Sequence, residues 1–170
     1  SLKTDVVEAE KDLVEAKRNY YSANLTLESG NSATKDKIRP TLSGVYNGEA
    51  EGVYRVKLYR SGATSGYSYS VTGLETATVS VLDNTATPLG TKGLKISFPD
   101  DVRGDDEWII AVPNTYASEY AKNKAAYEST VRTLTELIAS KKIAIANAEI
   151  EIKNQSQTDG VPYRNLDVAK

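Results

Sequence analysis

The residues best equipped for chemistry are carboxylates. Asp100, Asp101, Asp105, Asp106 and Glu107 crowd the stretch "PDDVRGDDEW". A cluster of side-chain oxygens suits Ca²⁺, a hard cation that takes several oxygen ligands. The spacing is not that of a helix–loop–helix calcium loop, and a solvated turn between two strands uses the same residues, with Gly104-Asp105 shaping the bend. Paired carboxylates also serve glycoside hydrolysis, but that chemistry needs a fixed separation across a cleft, which no spacing here supplies. Calcium is thus the one cofactor these residues suggest. The second set is aromatic: the chain holds 11 tyrosines against one tryptophan and one phenylalanine. Tyr46, Tyr54, Tyr59, Tyr67 and Tyr69, with Trp108, alternate along apparent strands. Such rings can stack on sugars, and Tyr59, Tyr67 and Tyr69 lie among polar neighbours, which makes them the candidate glycan face. Cross-strand and core packing produces the same alternation.

Other chemistries fail for want of residues. There is no cysteine and no histidine. That removes disulfides, thiol nucleophiles, cysteine metal sites, the commonest general base and the commonest zinc ligand. The serines of "GLETATVS" and "SGATSG" have no histidine or convincing lysine partner, so a nucleophilic triad cannot be assembled. "SGATSG" also lacks the lysine of a phosphate-binding loop. No catalytic residue is assigned, and the chain reads as a non-enzyme. The formal charge is −2 from 21 basic and 23 acidic residues, with no basic face, so nucleic acid is not an expected partner. No apolar run approaches the roughly 20 residues that span a bilayer, and no signal-peptide pattern opens the chain. Methionine is absent even at position 1, from which a piece of a longer parent is expected. Asn24-Leu25-Thr26 and Asn154-Gln155-Ser156 match the glycosylation sequon, but both fall on predicted helices, and two chance matches are unremarkable.

These residues are held by three kinds of element. From about Leu2 to about Leu27, the positions Leu2, Val6, Ala9, Leu13, Ala16, Tyr20, Ala23 and Leu27 step by four and three, a heptad seam without a gap. Val7, Val14 and Tyr21 widen the stripe. Ser1 or Thr4 is the expected N-cap, Gly30 the expected C-cap, and Pro40 forbids continuation. From about Thr115 to about Gln155 a second seam runs through Tyr120, Lys124, Tyr127, Val131, Leu134, Ile138, Lys141, Ile145, Ala148 and Ile152, with Leu137 and Ala144 beside it and Asn114 or Thr115 at its start. Lys124 and Lys141 interrupt the seam, and their stems are expected to snorkel out of a two-helix groove. Between the helices, Leu42 to Val112 alternates with period two. "LSGVYNG", "GVYRVKLYR", "GYSYSVTG", "ATVSVL", "GLKISF" and "EWIIAV" give about six short strands, which predicts a small antiparallel sandwich or barrel.

The expected fold is therefore α+β: an antiparallel, coiled-coil-like helical hairpin with a small β-sandwich or barrel inserted in it. The expected divisions are 1–38 for the first helix and linker, 39–113 for the β-domain, 114–155 for the second helix and 156–170 for a polar tail. An apolar seam has to be buried, and the helices are expected to do this mutually through Leu13, Tyr20, Leu134, Ile138 and Ile145.

Within the β-domain, Gly44, Tyr46 and Gly48, then Tyr54 and Val56, then "PLGTKGLKISF" (Pro88, Leu89, Gly90, Gly93, Leu94, Ile96, Phe98), then Gly104, Asp105, Trp108, Ile110 and Val112 form an ordered pattern. From Gly44 to Val112 it resembles a β-module of large bacteriophage virion proteins and of flagellar hook-associated and related bacterial surface proteins. The pattern is a signature of alternation and turns, and it carries no catalytic residue. The resemblance implies a structural or adhesive module in an extracellular, virion or cell-surface appendage. Its partners would be the remainder of a larger parent or sibling subunits in a homo-oligomer, filament or particle. The alternative is an adhesin or carbohydrate-binding head that uses the tyrosine-rich sheet.

Overall fold

The architecture, seen in a computed structural model, is α+β, with two helices and two antiparallel sheets of five and three strands. The structure describes the backbone of residues 1–169 and the side chains of residues 1–157; from residue 158 onward the expected polar tail lies outside the described side chains.

Helix α1 spans Leu2–Ser22. Ser1 caps it: its Oγ accepts the Thr4 N–H at 3.3 Å, which satisfies one of the N–H groups that a helix start leaves open. The helix stops short of Leu27 because Asn24 turns into the left-handed region with φ 52°, where asparagine is the best-tolerated residue after glycine. Gly30 is therefore not the cap. It follows strand β1 (Glu28–Ser29) and lies flat on Glu107, where a Cβ would meet the Glu107 carbonyl oxygen at 2.9 Å. The heptad seam is otherwise as spaced: Val6, Ala9 and Tyr20 are buried, Leu2, Leu13 and Ala16 half-buried, and Val7 and Val14 exposed.

A single 3₁₀ turn (Ser32–Thr34) leads to β2 (Thr41–Gly44), β3 (Gly52–Arg60), β4 (Tyr67–Gly73), β5 (Ala77–Ser80), β6 (Thr87–Pro88), β7 (Leu94–Ser97) and β8 (Glu107–Val112). The six strands legible in the sequence are all present. The two that were not, β1 and β6, are two residues long and too short to show a period. The wide sheet has the order β1-β8-β3-β4-β5 and the narrow one β2-β7-β6. Both face one hydrophobic cluster in which Tyr54, Val56, Leu58, Tyr69, Val71, Ile96 and Ile110 are 0% exposed. Each fully buried aliphatic side chain there contributes roughly 1.5–3 kcal/mol of transfer free energy. Sheets of unequal width share this core, and neither closes on itself into a barrel.

Helix α2 spans Tyr120–Ala169. It starts later than Asn114 or Thr115 because residues 114–119 form turns, with Ala117 N–H bonded to Asn114 O at 3.3 Å and Tyr120 N–H to Ala117 O at 3.1 Å. The Val112–Pro113 peptide before them is cis. Along α2 the seam positions Val131, Leu134, Ile138, Lys141, Ile145 and Ala148 are half-buried while their neighbours are mostly exposed; Lys124 and Ile152 are exposed.

The chain divides into two compact units, residues 17–127, and residues 1–16 with 128–170. The division differs from the one expected at 38/39 and 113/114. The last turns of α1 and the first of α2 belong with the sheets, because Tyr20 and Tyr21 are part of the sheet core and Tyr120 and Tyr127 pack against it. In the helical unit three ion pairs link α1 to α2: Lys3–Glu149 at 3.6 Å, Asp5–Lys141 at 3.4 Å and Glu10–Lys142 at 2.9 Å. The seam residue Lys141 thus does send its ammonium out to a carboxylate. No described helix is long and apolar enough to cross a membrane.

Candidate functional site

A dense arrangement of polar and aromatic groups lies where the chain enters and leaves the β unit. Tyr20 of α1 and Tyr127 of α2 stack with centroids 4.1 Å apart and planes within 8°. Tyr21 packs on both, and a row of edge contacts continues from Tyr21 to Tyr46 at 5.8 Å and from Tyr46 to Tyr54 at 6.3 Å. Aromatic pairs in offset or edge geometry add about 0.5–1.5 kcal/mol each beyond area burial. Hydrogen bonds fasten the same place. Asn114 Nδ2 donates to the Asn24 carbonyl at 2.5 Å and to Thr26 Oγ1 at 3.3 Å, while its Oδ1 accepts the Tyr116 N–H at 3.0 Å. Ser22 Oγ accepts the Tyr46 N–H at 3.0 Å, and Tyr46 OH donates to the Ala50 carbonyl at 2.8 Å. The effect is to clamp residues 20–26 to residues 114–127. Burial pushes the Tyr21 phenol up to about 12, helped by Tyr127 and Glu51. Burial also raises Tyr46, Tyr54, Tyr69 and Tyr127. None of these phenols is set to exchange protons near neutrality. Tyr21, Tyr46, Tyr54 and Tyr69 each donate a hydrogen bond, to the Glu49 carbonyl, the Ala50 carbonyl, the Glu75 carboxylate and the Pro88 carbonyl.

A second polar cluster centres on Glu75, in the turn between β4 and β5. One carboxylate oxygen accepts the Tyr54 hydroxyl at 2.5 Å; the other accepts the Thr91 N–H at 2.7 Å and the Thr91 hydroxyl at 2.9 Å. Burial pushes the carboxyl up, but the bonds from Tyr54, Thr91 and the Lys92 backbone outweigh it, so the pKa falls below its ordinary 4.5. Gly90 leaves room for this: a Cβ there would lie 2.5 Å from the Glu75 carboxyl carbon. Because residues 89–93 join β6 to β7, Glu75 latches the wide sheet to the narrow one. Tyr69 does the same nearby, donating to the Pro88 carbonyl at 2.7 Å.

The acidic turn is dispersed. Asp106 is 2% exposed. Its Oδ2 accepts Lys37 Nζ at 2.7 Å and the Arg103 N–H at 2.9 Å, while its Oδ1 has no hydrogen-bond partner among the described residues. Lys37 Nζ also donates to the Asp101 carbonyl at 2.9 Å. An ammonium thus stands where a cation would. Glu107 pairs with Arg55, Asp100 and Asp105 are exposed, and Asp101 is half-buried. Asp105, with φ 73°, makes the bend assigned to Gly104-Asp105. Among the described residues no three acidic groups converge in a way that could hold a metal ion.

The tyrosines proposed for glycans do not share a surface. Tyr59 pairs with Ser68, and its neighbour Leu58 pairs with Tyr69. Successive residues point to opposite faces, so Tyr59 is on the outer face at 38% exposure while Tyr69 is at 0% in the core. Tyr67 is half-buried against that core. The helix residues divide likewise. Leu13, Leu134, Ile138 and Ile145 lie half-buried on the seams of the helical unit, whereas Tyr20 belongs to the β unit. Asn24 lies beyond the end of α1 rather than on it. Glu75, Lys37 and Asn114 went unread as partners in the sequence. For Glu75 the available signal was a lone acid among uncharged residues, whereas Lys37 lies among Lys35, Asp36 and Arg39 and does not stand out; what the sequence could not give was the partner, 16 residues away for Thr91 and 69 for Asp106. Comparison with family models, curated proteins and solved structures finds no match for this chain.

Proposed function

We propose that the chain is a non-catalytic structural module of a larger assembly, in which two antiparallel helices form a hairpin and carry a β-domain inserted between them. A phage virion or a bacterial surface appendage, outside the cell, is the setting in which such a module is used. The observation that carries the reading is the clamp at the β unit's entry and exit: Tyr20 stacked on Tyr127 at 4.1 Å and Asn114 bonded to Asn24 at 2.5 Å. A β-domain whose two connections leave side by side can be inserted in a helical pair without disturbing either helix. The half-buried seams of α1 and α2 and the reversed order of their ion pairs, Lys3 with Glu149 and Glu10 with Lys142, support the hairpin. The polar groups that are buried are spent on the fold: Glu75 holds two sheets together, and Asp106 neutralises Lys37. The glycan-binding alternative loses the shared tyrosine face on which it rested.

The test is Leu134→Asp. An unpaired charge in the seam has to leave it or be solvated, so circular dichroism should show lost helicity and a lower melting temperature, with Trp108 fluorescence still native. Unchanged helicity and melting would refute the packing on which this function depends.

A further inference from the structure

On α2 a second strip, distinct from the seam, runs through Glu136, Ala139, Ile143, Ala146, Ile150 and Lys153. These positions step by three, four, three, four and three, so they lie in one line along the helix. All six are exposed, and Ile143 and Ile150 are 62% and 57% exposed. A solvent-facing helix surface has no reason to repeat isoleucine at heptad spacing.

The order of residues along the strip says what covers it. Read forward, it is acid, small, large, small, large, base. Laid antiparallel on a copy of itself, Glu136 meets Lys153, Ala139 meets Ile150, and Ile143 meets Ala146, each pair occurring twice about a dyad. Every large side chain then faces a small one and every charge faces its opposite. A parallel pairing would instead set Glu136 against Glu136 and Lys153 against Lys153. The geometry points to an isologous, antiparallel dimer of this chain through the outer face of α2, centred between residues 143 and 146. This dimer rests on the assembly reading above and names its partner, a second copy. The strip is short, so the interface is smaller than the roughly 1,200 Å² of a stable complex, and association is concentration-dependent.

Sedimentation equilibrium of the full chain over a range of concentrations tests this. The expected result is a reversible monomer–dimer equilibrium. Ile143→Glu with Ile150→Glu should abolish it and leave the far-ultraviolet circular dichroism unchanged. Glu136→Lys alone, or Lys153→Glu alone, should weaken it by about tenfold, since each places two like-charge pairs in the interface. The double exchange Glu136→Lys/Lys153→Glu should restore it. A monomer at every concentration overturns the proposal, as does association indifferent to the isoleucine pair or to the single charge reversals. These failures are separable from failure of the hairpin, because Leu134→Asp reads helicity in the monomer and the strip variants read mass.

Discussion

Removing the Glu75 carboxylate tests whether the two sheets are held together by a single charged group. In Glu75→Ala the Tyr54 hydroxyl loses its acceptor while its residue remains 0% exposed. A buried donor left unsatisfied costs about 1–3 kcal/mol. The two bonds from Thr91 are more exposed, so water replaces much of what they supply, and their loss adds about 1 kcal/mol. The sum is about 3 kcal/mol. For a chain of this size each kcal/mol moves the melting temperature by about 2–4 °C, so the shift is about 6–12 °C downward. Urea unfolding followed by Trp108, the single tryptophan and a residue of the same core, reads the β unit directly. Glu75→Gln keeps one acceptor but sets an amide N–H₂ against donors, and should cost less. Adding Tyr54→Phe to Glu75→Ala should recover part of the loss, because the orphaned hydroxyl is gone. The pH dependence follows from the lowered pKa. A carboxyl whose folded pKa lies below its ordinary 4.5 stabilises the fold fully above 4.5. That stability fades as pH falls through the folded value. The native chain should lose stability in this acid window, and Glu75→Gln should lose less. A Glu75→Ala chain within about 0.5 kcal/mol of native, the range of an ordinary surface substitution, would show that the latch is incidental.

Other perturbations follow from the same geometry. Lys37→Ala leaves Asp106, 2% exposed, as a charge with one backbone donor, and breaking a buried pair in this way costs about 3–5 kcal/mol. Because Lys37 is itself partly exposed, the lower end should be seen in denaturant unfolding, with Lys37→Ala/Asp106→Ala milder than the single change. Gly73→Ala should destabilise the chain by several degrees in a thermal melt, since at φ +96° a Cβ would lie 1.9 Å from the Val53 carbonyl oxygen, which is strain no rotamer relieves. Tyrosine titration followed by ultraviolet absorbance should show a fraction that resists ionisation at pH 10, Tyr21 among it with its pKa near 12. A phenol raised in the folded state stabilises it below its ordinary pKa of 10 and loses that contribution as pH climbs through the folded value. Alkaline unfolding should therefore begin above pH 10; complete, rapid ionisation at pH 10 with the fold intact would contradict the packed junction.

What the sequence determined by itself was whatever repeats. Heptad steps named the buried side of α1 from Val6 to Tyr20, and period-two alternation named the inner face of the wide sheet, Tyr54, Val56 and Leu58 against Val53, Arg55, Lys57 and Tyr59, which the burial follows residue by residue. Periodicity is a local property of the backbone, so it can be read from neighbours along the chain. Absence was also decisive: without histidine or cysteine, whole classes of chemistry had no residues to use. Tertiary structure decided the rest. It ended α1 at Ser22, ahead of the left-handed Asn24, put Tyr59 and Tyr69 on opposite faces, and gave Asp106 to Lys37 rather than to a shared acidic cluster. It also turned Glu75 from a stray acid in a serine- and threonine-rich stretch into one of the bonds between two sheets. Each of these depends on which distant residue arrives beside it, and hydrogen bonds and ion pairs, unlike hydrophobic stripes, leave no period behind.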